Sequence, residues 1–296
     1  MSERARPQMA FGWVLLLFVF VVVVLELIQG LVLELSGLNR TDALDAWRTL
    51  FLTTPLLIST TLATWITWLP FREPIGLHDE RPLQRLGLGV LVGALALTIC
   101  VGVPALLGHT RLQLNASWPL HSGLVQLLVL APAGIAEELL VRGLGFQALR
   151  RGVGALAAVL VSSAVFGALH LFNPHASLLA TVVITLVGVW FGLMVVTTGS
   201  VWMSIAAHLT WNFFEGFVFG QPVSGNLPGG SIFRAWWPVT RGFWSGGDFG
   251  PEAAGFTLLV LAVAIAATYA WRPLRAARAP TTATAPAPTP SSDRST

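Results

Sequence analysis

The chain has 296 residues and a formal net charge of only +3; 54% of its residues are hydrophobic and 10% are charged. That balance excludes a disordered or heavily solvated protein, and its apolar runs of about 20 residues are of the length that crosses a bilayer as helix. The pI is near 10.3, but all 17 cationic residues are Arg and many flank hydrophobic runs. They read as topology signals rather than a nucleic-acid footprint, so no nucleic-acid partner is expected.

Eight membrane spans are expected in chain order, at about 11–33, 49–69, 87–108, 120–148, 153–171, 177–198, 201–219 and 253–271. The predicted fold is therefore all-α, a polytopic helical bundle whose solvent is the lipid bilayer. The first run is too long for a cleaved signal peptide and lacks a small-residue cleavage pattern, so it reads as a retained helix. Arg4 and Arg6, then Arg72, Arg81 and Arg85, then Arg150 and Arg151, then Arg272, Arg275 and Arg278 all fall on one side of this arrangement. The positive-inside rule makes that side cytoplasmic and places both termini there. With no Lys and an Ala/Pro-rich tail, the composition fits a GC-rich bacterial genome, and the expected location is a bacterial plasma membrane.

Four segments follow from these boundaries: the first three spans (1–119), a core carrying most of the intramembrane polar groups (120–220), a long loop and the last span (221–272), and a cytoplasmic tail (273–296) expected to be disordered. The loop at 220–252 is rich in Gly, Pro and Trp, and its tryptophans are expected at the membrane interface. The single cysteine, Cys100, excludes an intrachain disulfide and reads as a small buried hydrophobe.

Ionisable groups inside a membrane are costly and mark candidate sites. Here they are Glu26, Glu137, Glu138, Arg142, His170, His208 and Glu215, with Asn212 as an amide. Glu138 and Arg142 stand four residues apart and can pair along a helix. Glu137, turned about 100° from Glu138, is free to face another helix, where desolvation would suit it to general-base work. Phe166 and His170 in "FGALH" share a face, as do His208 and Asn212 in "HLTWN". Each pair alone also fits helix-to-helix packing by polar side chains. Glu26 reads as a pairing residue, His175 as a loop residue, and Glu215 as either support for the site or an interfacial group. On unbroken helices with 1.5 Å rise, Glu137 would lie roughly 21 Å and His170 roughly 28 Å from the turn near Arg151. His208 and Asn212 would lie only roughly 13–20 Å from the turn near Gly199, so the groups meet only if helices tilt or shift.

"EELLVR", "FGALH" and "HLTWN", in order on successive hydrophobic helices, resemble the E-E-x-x-x-R, F-x-x-x-H and H-x-x-x-N motifs of the CAAX-protease and bacteriocin-processing family of intramembrane endopeptidases, which includes type II CAAX prenyl proteases. The resemblance spans about 120 to 220 and departs at no motif position. It implies peptide-bond hydrolysis with Glu137 as general base on water, His170 helping to hold that water, and His208 with Asn212 as the oxyanion site, supported by Glu138, Arg142 and Phe166. The implied partner is a peptide or membrane-protein substrate, and no cofactor is favoured. A competing mechanism would place a zinc ion on Glu137, His170 and His208, although the zincin H-E-x-x-H pattern is absent from the sequence. A different class of function, a bacteriocin immunity or transporter-like factor, would use the same polar cluster for packing or proton transfer.

Overall fold

The computed structural model describes residues 5–36, 57–65, 75–117, 120–227, 229–238 and 242–276. Helix α1 (Ala5–Ser36) contains the first expected span, and only the stretch 57–65, helix α2, is described within the second. Then follow α3 (Pro82–Leu106), strand β1 (Arg111–Leu114), α4 (Leu120–Arg142), α5 (Leu144–Val153), α6 (Ala155–Leu169) and α7 (Leu178–Thr198). The chain continues through α8 (Trp202–Phe213), strand β2 (Phe233–Trp236), the single turn α9 (Gly242–Ser245) and α10 (Gly255–Ala276).

The described residues are predominantly helical, and the apolar helices are those of an integral membrane protein. Among the described residues, four stretches are both long and apolar enough to cross a bilayer: Pro82–Leu106, Leu120–Val153, Ala155–Phe172 and Leu178–Thr198. The count of eight is thus not reproduced among the described residues. The seventh expected span is only the 12-residue α8 followed by a π-helical turn, Phe214–Val218. The all-α expectation holds, with one small addition. β1 and β2 form a two-stranded antiparallel sheet, Arg111 opposite Trp236 and Leu114 opposite Phe233, joining segments more than a hundred residues apart. Much of the loop at 220–252 is accordingly folded, and Asn115 Nδ2 donates to the Ser231 carbonyl at 3.1 Å just beside the sheet. The tail from 277 onward lies outside the described residues.

The fourth expected span, 120–148, is two helices rather than one. Gly143 stands at the break, and a Cβ there would lie 2.2 Å from the Leu139 carbonyl oxygen, so the backbone closes up at a point that only glycine fits. Beyond the break α5 is amphipathic: Leu144, Phe146 and Ala148 are buried, and Arg150 and Arg151 occupy its last turn. Those cations oppose the negative helix end.

Packing is closest between α3 and α8. Cβ atoms on Gly89 and Gly93 would meet the Met203 and Ala207 carbonyl oxygens at 2.4 and 2.5 Å. Small residues let membrane helices approach to backbone contact, where dispersion replaces the missing hydrophobic drive. Helix α7 is the most enclosed, with Val183, Val187, Phe191 and Met194 in the main core. It starts at Ser177, whose side chain accepts from Ala180 N–H, and ends at Gly199 in the left-handed region (φ +77°). The segment 75–81 docks on the α7–α8 turn, where Val201 N–H donates to the Gly76 carbonyl and Trp202 Nε1–H to that of Leu77.

Candidate active site

The break at Gly143 removes the depth mismatch between Glu137 and His208 that unbroken helices would create. Glu137 lies one and a half turns from the end of α4, and His208 about as far from the start of α8; at 1.5 Å per residue both sit roughly 8–9 Å from those ends. α4 and α8 therefore bring the two residues together without unusual tilt.

Glu138 and Arg142 are both fully buried, and Arg142 Nη1 donates to Glu138 Oε1 at 2.8 Å. The same carboxylate oxygen is 3.2 Å from His208 Nδ1. A carboxylate only accepts, so Nδ1 carries a proton and Nε2 points elsewhere. Nε2 lies 3.8 Å from Glu137 Oε2, close enough for charge attraction but too far for a hydrogen bond. The Glu137 side chain keeps 28% of its surface exposed, against none for Glu138. The adjacent glutamates thus differ as their 100° offset suggests: one is locked into the core, and the other faces accessible space beside an imidazole.

Aromatic rings close the other sides. The Arg142 guanidinium lies 4.4 Å above the Phe166 ring and 5.8 Å from that of Phe191. Phe166 meets His170 edge-on at 4.7 Å and His208 at 5.9 Å. His170, at the α6 terminus, donates Nδ1–H to the Phe166 carbonyl at 2.8 Å, which leaves its Nε2 free to accept when the ring is neutral. Asn212 stands one turn beyond His208 on the same face of α8. Among the described residues its Oδ1 is buried without a hydrogen-bond partner, and its NH2 is the end of the amide that can donate. Six of the seven motif residues, Glu137, Glu138, Arg142, Phe166, His170 and His208, form one linked cluster, and Asn212 borders it.

Three contributors escape sequence reading. Arg142 Nη2 donates to the Gly188 carbonyl at 3.2 Å, and a Cβ on Gly188 would meet Ser163 Cα at 3.0 Å and that guanidinium at 3.2 Å. Phe191, one turn on, covers both Arg142 and His208, its ring 5.4 Å from the imidazole. The buried Ser204 lies beside Glu138, its hydroxyl bonded to the Val201 carbonyl at 3.0 Å. One signal was available: Ser204, His208 and Asn212 recur every four residues, a polar stripe on an apolar helix.

Glu215 does not join this cluster. It is fully buried at the π turn beyond α8, near Glu252 and Trp211, so its reading as an interfacial, solvated group is corrected. His175 sits, as expected, in the loop after α6, with φ at +58°. Glu26 falls within α1, where its side chain lies outside the described residues.

A protein-family model described as Type II CAAX prenyl endopeptidase Rce1-like matches residues 119–214. The motif-bearing segment is similar to this endopeptidase family. Among curated proteins and solved structures, nothing matches the chain. The matched stretch is about a third of the chain, and every member of the Glu137–Asn212 constellation lies inside it. The CAAX-endopeptidase match ends one residue before Glu215, and α1, α3, both strands and α10 lie outside it.

His208 Nδ1 is committed to Glu138 and His170 Nδ1 to a backbone carbonyl. The fixed Nδ1 atoms leave the Nε2 of each imidazole as its available nitrogen, an orientation that serves water, substrate or a cation alike. Among the described residues no group of three or more His, Cys, Asp or Glu side chains is disposed to hold a metal ion.

Proposed function

We propose that the protein is an intramembrane glutamic endopeptidase that hydrolyses a peptide bond in a membrane-associated peptide or protein. The observation that carries this reading is His208 set between the two glutamates, Nδ1 against buried Glu138 and Nε2 toward accessible Glu137. Such asymmetry suits a base and an electrophilic site working side by side.

In this reading Glu137 takes a proton from a water also held by His170 Nε2, and the resulting hydroxide attacks the scissile carbonyl carbon. The oxygen that becomes negative receives hydrogen bonds from His208 Nε2–H and the Asn212 amide. Donors placed in advance of such charge are worth roughly 3–4 kcal/mol each. The proton on Glu137 then passes to the departing amine. For Nε2 to donate while Nδ1–H serves Glu138, His208 is an imidazolium. Two carboxylates, one guanidinium and one imidazolium sum to zero, an arrangement that a low-dielectric interior tolerates. Glu138 and Arg142 act as orienting groups, and no metal takes part.

The test is cleavage of a peptide library or host membrane-protein extract by detergent-purified protein, comparing wild type, Glu137→Ala and His208→Ala with and without a chelator. Cleavage lost in both variants and indifferent to chelation is the expected result. Chelator-sensitive cleavage would move the mechanism to a metal ion. Identical products from folded wild type and variants would remove these residues from the chemistry and favour a packing or proton-transfer role.

A further inference from the structure

A groove of about 1040 Å³ lies away from the cluster, between the last turns of α3 and the β1–β2 ribbon. None of its lining residues belongs to the segment that matches the endopeptidase family. One wall is made by Gly102, Ala105 and Leu106, spaced to share a helix face. The other is made by Arg111, Leu112 and Trp236. α3 is a span by length and composition, and β1 begins five residues after it ends. The groove therefore straddles the level at which hydrocarbon gives way to headgroups, its apolar wall open from the membrane side.

Its chemistry is graded in the same direction. Leu106 is 89% exposed, and Gly102 has nothing within 4 Å of where its Cβ would be, so the α3 wall is recessed by missing side chains rather than filled from the core. At the polar end Arg111 is exposed, and among the described residues no hydrogen bond or ion pair engages its guanidinium. Trp236 stands directly opposite it in the sheet register, the aromatic and cationic pairing typical of the membrane interface. An apolar trough that ends at an exposed guanidinium is complementary to an amphiphile with an acyl chain and a phosphate.

We propose that this groove binds an anionic phospholipid, with an acyl chain along Gly102 and Ala105 and the phosphate at Arg111. The lipid would brace the β ribbon against α3 at a site separate from the peptidase centre. Native mass spectrometry of the full chain in detergent tests this, with phosphatidylglycerol or phosphatidylcholine titrated into wild type, Arg111→Gln and Gly102→Leu. Wild type should retain phosphatidylglycerol about fivefold better than phosphatidylcholine, the scale of one basic residue at an anionic surface. Arg111→Gln should erase that preference, and Gly102→Leu, which projects into open space and leaves the fold intact, should reduce retention of both lipids. Equal retention of the two lipids by wild type, or an unchanged preference in Arg111→Gln, would overturn the proposal. So would a lipid-free dimer lost in Gly102→Leu, which would assign the groove to a second copy of the chain. Because retention needs no peptide cleavage, these outcomes stand apart from the endopeptidase reading.

Discussion

Glu137 and Glu138 are chemically identical and covalently adjacent, yet one helical step separates a group that works through fixed partners from one that faces accessible space. Glu138 shares a single oxygen between Arg142 and His208, so removing the guanidinium leaves this buried cluster one positive charge short. Arg142→Ala should therefore cost about 3–5 kcal/mol of stability, read as a large fall in thermal melting temperature in detergent. Glu137→Gln should leave that temperature close to wild type, because the side chain is partly exposed and accepts no short hydrogen bond. The Glu138–Arg142 pairing was legible from sequence because a four-residue spacing on a helix dictates it. The Gly188 carbonyl and the Phe191 ring were not, because nothing local in α7 says which residue of another helix its backbone will serve.

The helices owe their arrangement to where side chains are missing. Gly89 and Gly93 hold α8 against α3 at backbone contact, and the Cβ of Gly93→Ala would lie 2.5 Å from the Ala207 carbonyl oxygen. Forcing that contact apart should cost roughly 1–3 kcal/mol and displace the helix that carries His208, measurable as a lower melting temperature. A different fastening holds the segment before α3. Burial alone would raise the Asp79 carboxyl, but the Arg81 backbone N–H, the Ser200 hydroxyl and the Arg85 guanidinium outweigh it and hold the group below the usual carboxylate range. A group depressed in the folded state contributes its full stability above its unfolded value of about 3.9 and loses it as pH falls through the lower folded value. In acid melts, Asp79→Asn should flatten this part of the pH dependence and leave neutral-pH behaviour less stable than wild type.

At the scale of the whole molecule, the alternation of α3, α4, α6, α7 and α8 sets the segment before α3 and the β ribbon at opposite ends of the bundle. The arginine distribution then assigns the sides: the end bearing Arg81, Arg85, Arg150 and Arg151 should be cytoplasmic. Single cysteines at the exposed positions Glu80 and Leu227 test this, because the native Cys100 is buried and gives little background. A membrane-impermeant thiol reagent applied to intact cells should label Leu227→Cys and spare Glu80→Cys; the reverse pattern would invert the topology.

The sequence by itself determined that the chain lives in a membrane as helices, and it determined the three polar motifs. Both follow from rules of short range, hydrophobic run length and the 3.6-residue turn. It also misled where those rules were extended too far. A continuous apolar pattern over 120–148 hid the break at Gly143, because hydropathy averages over a glycine that backbone crowding requires. Only the tertiary structure decided that His208 stands between Glu137 and Glu138, that Arg142 is held by α7, and that residues 111–114 pair with 233–236. Those contacts join elements distant in sequence, and their geometry is set by how closely whole helices pack rather than by any periodicity within one of them.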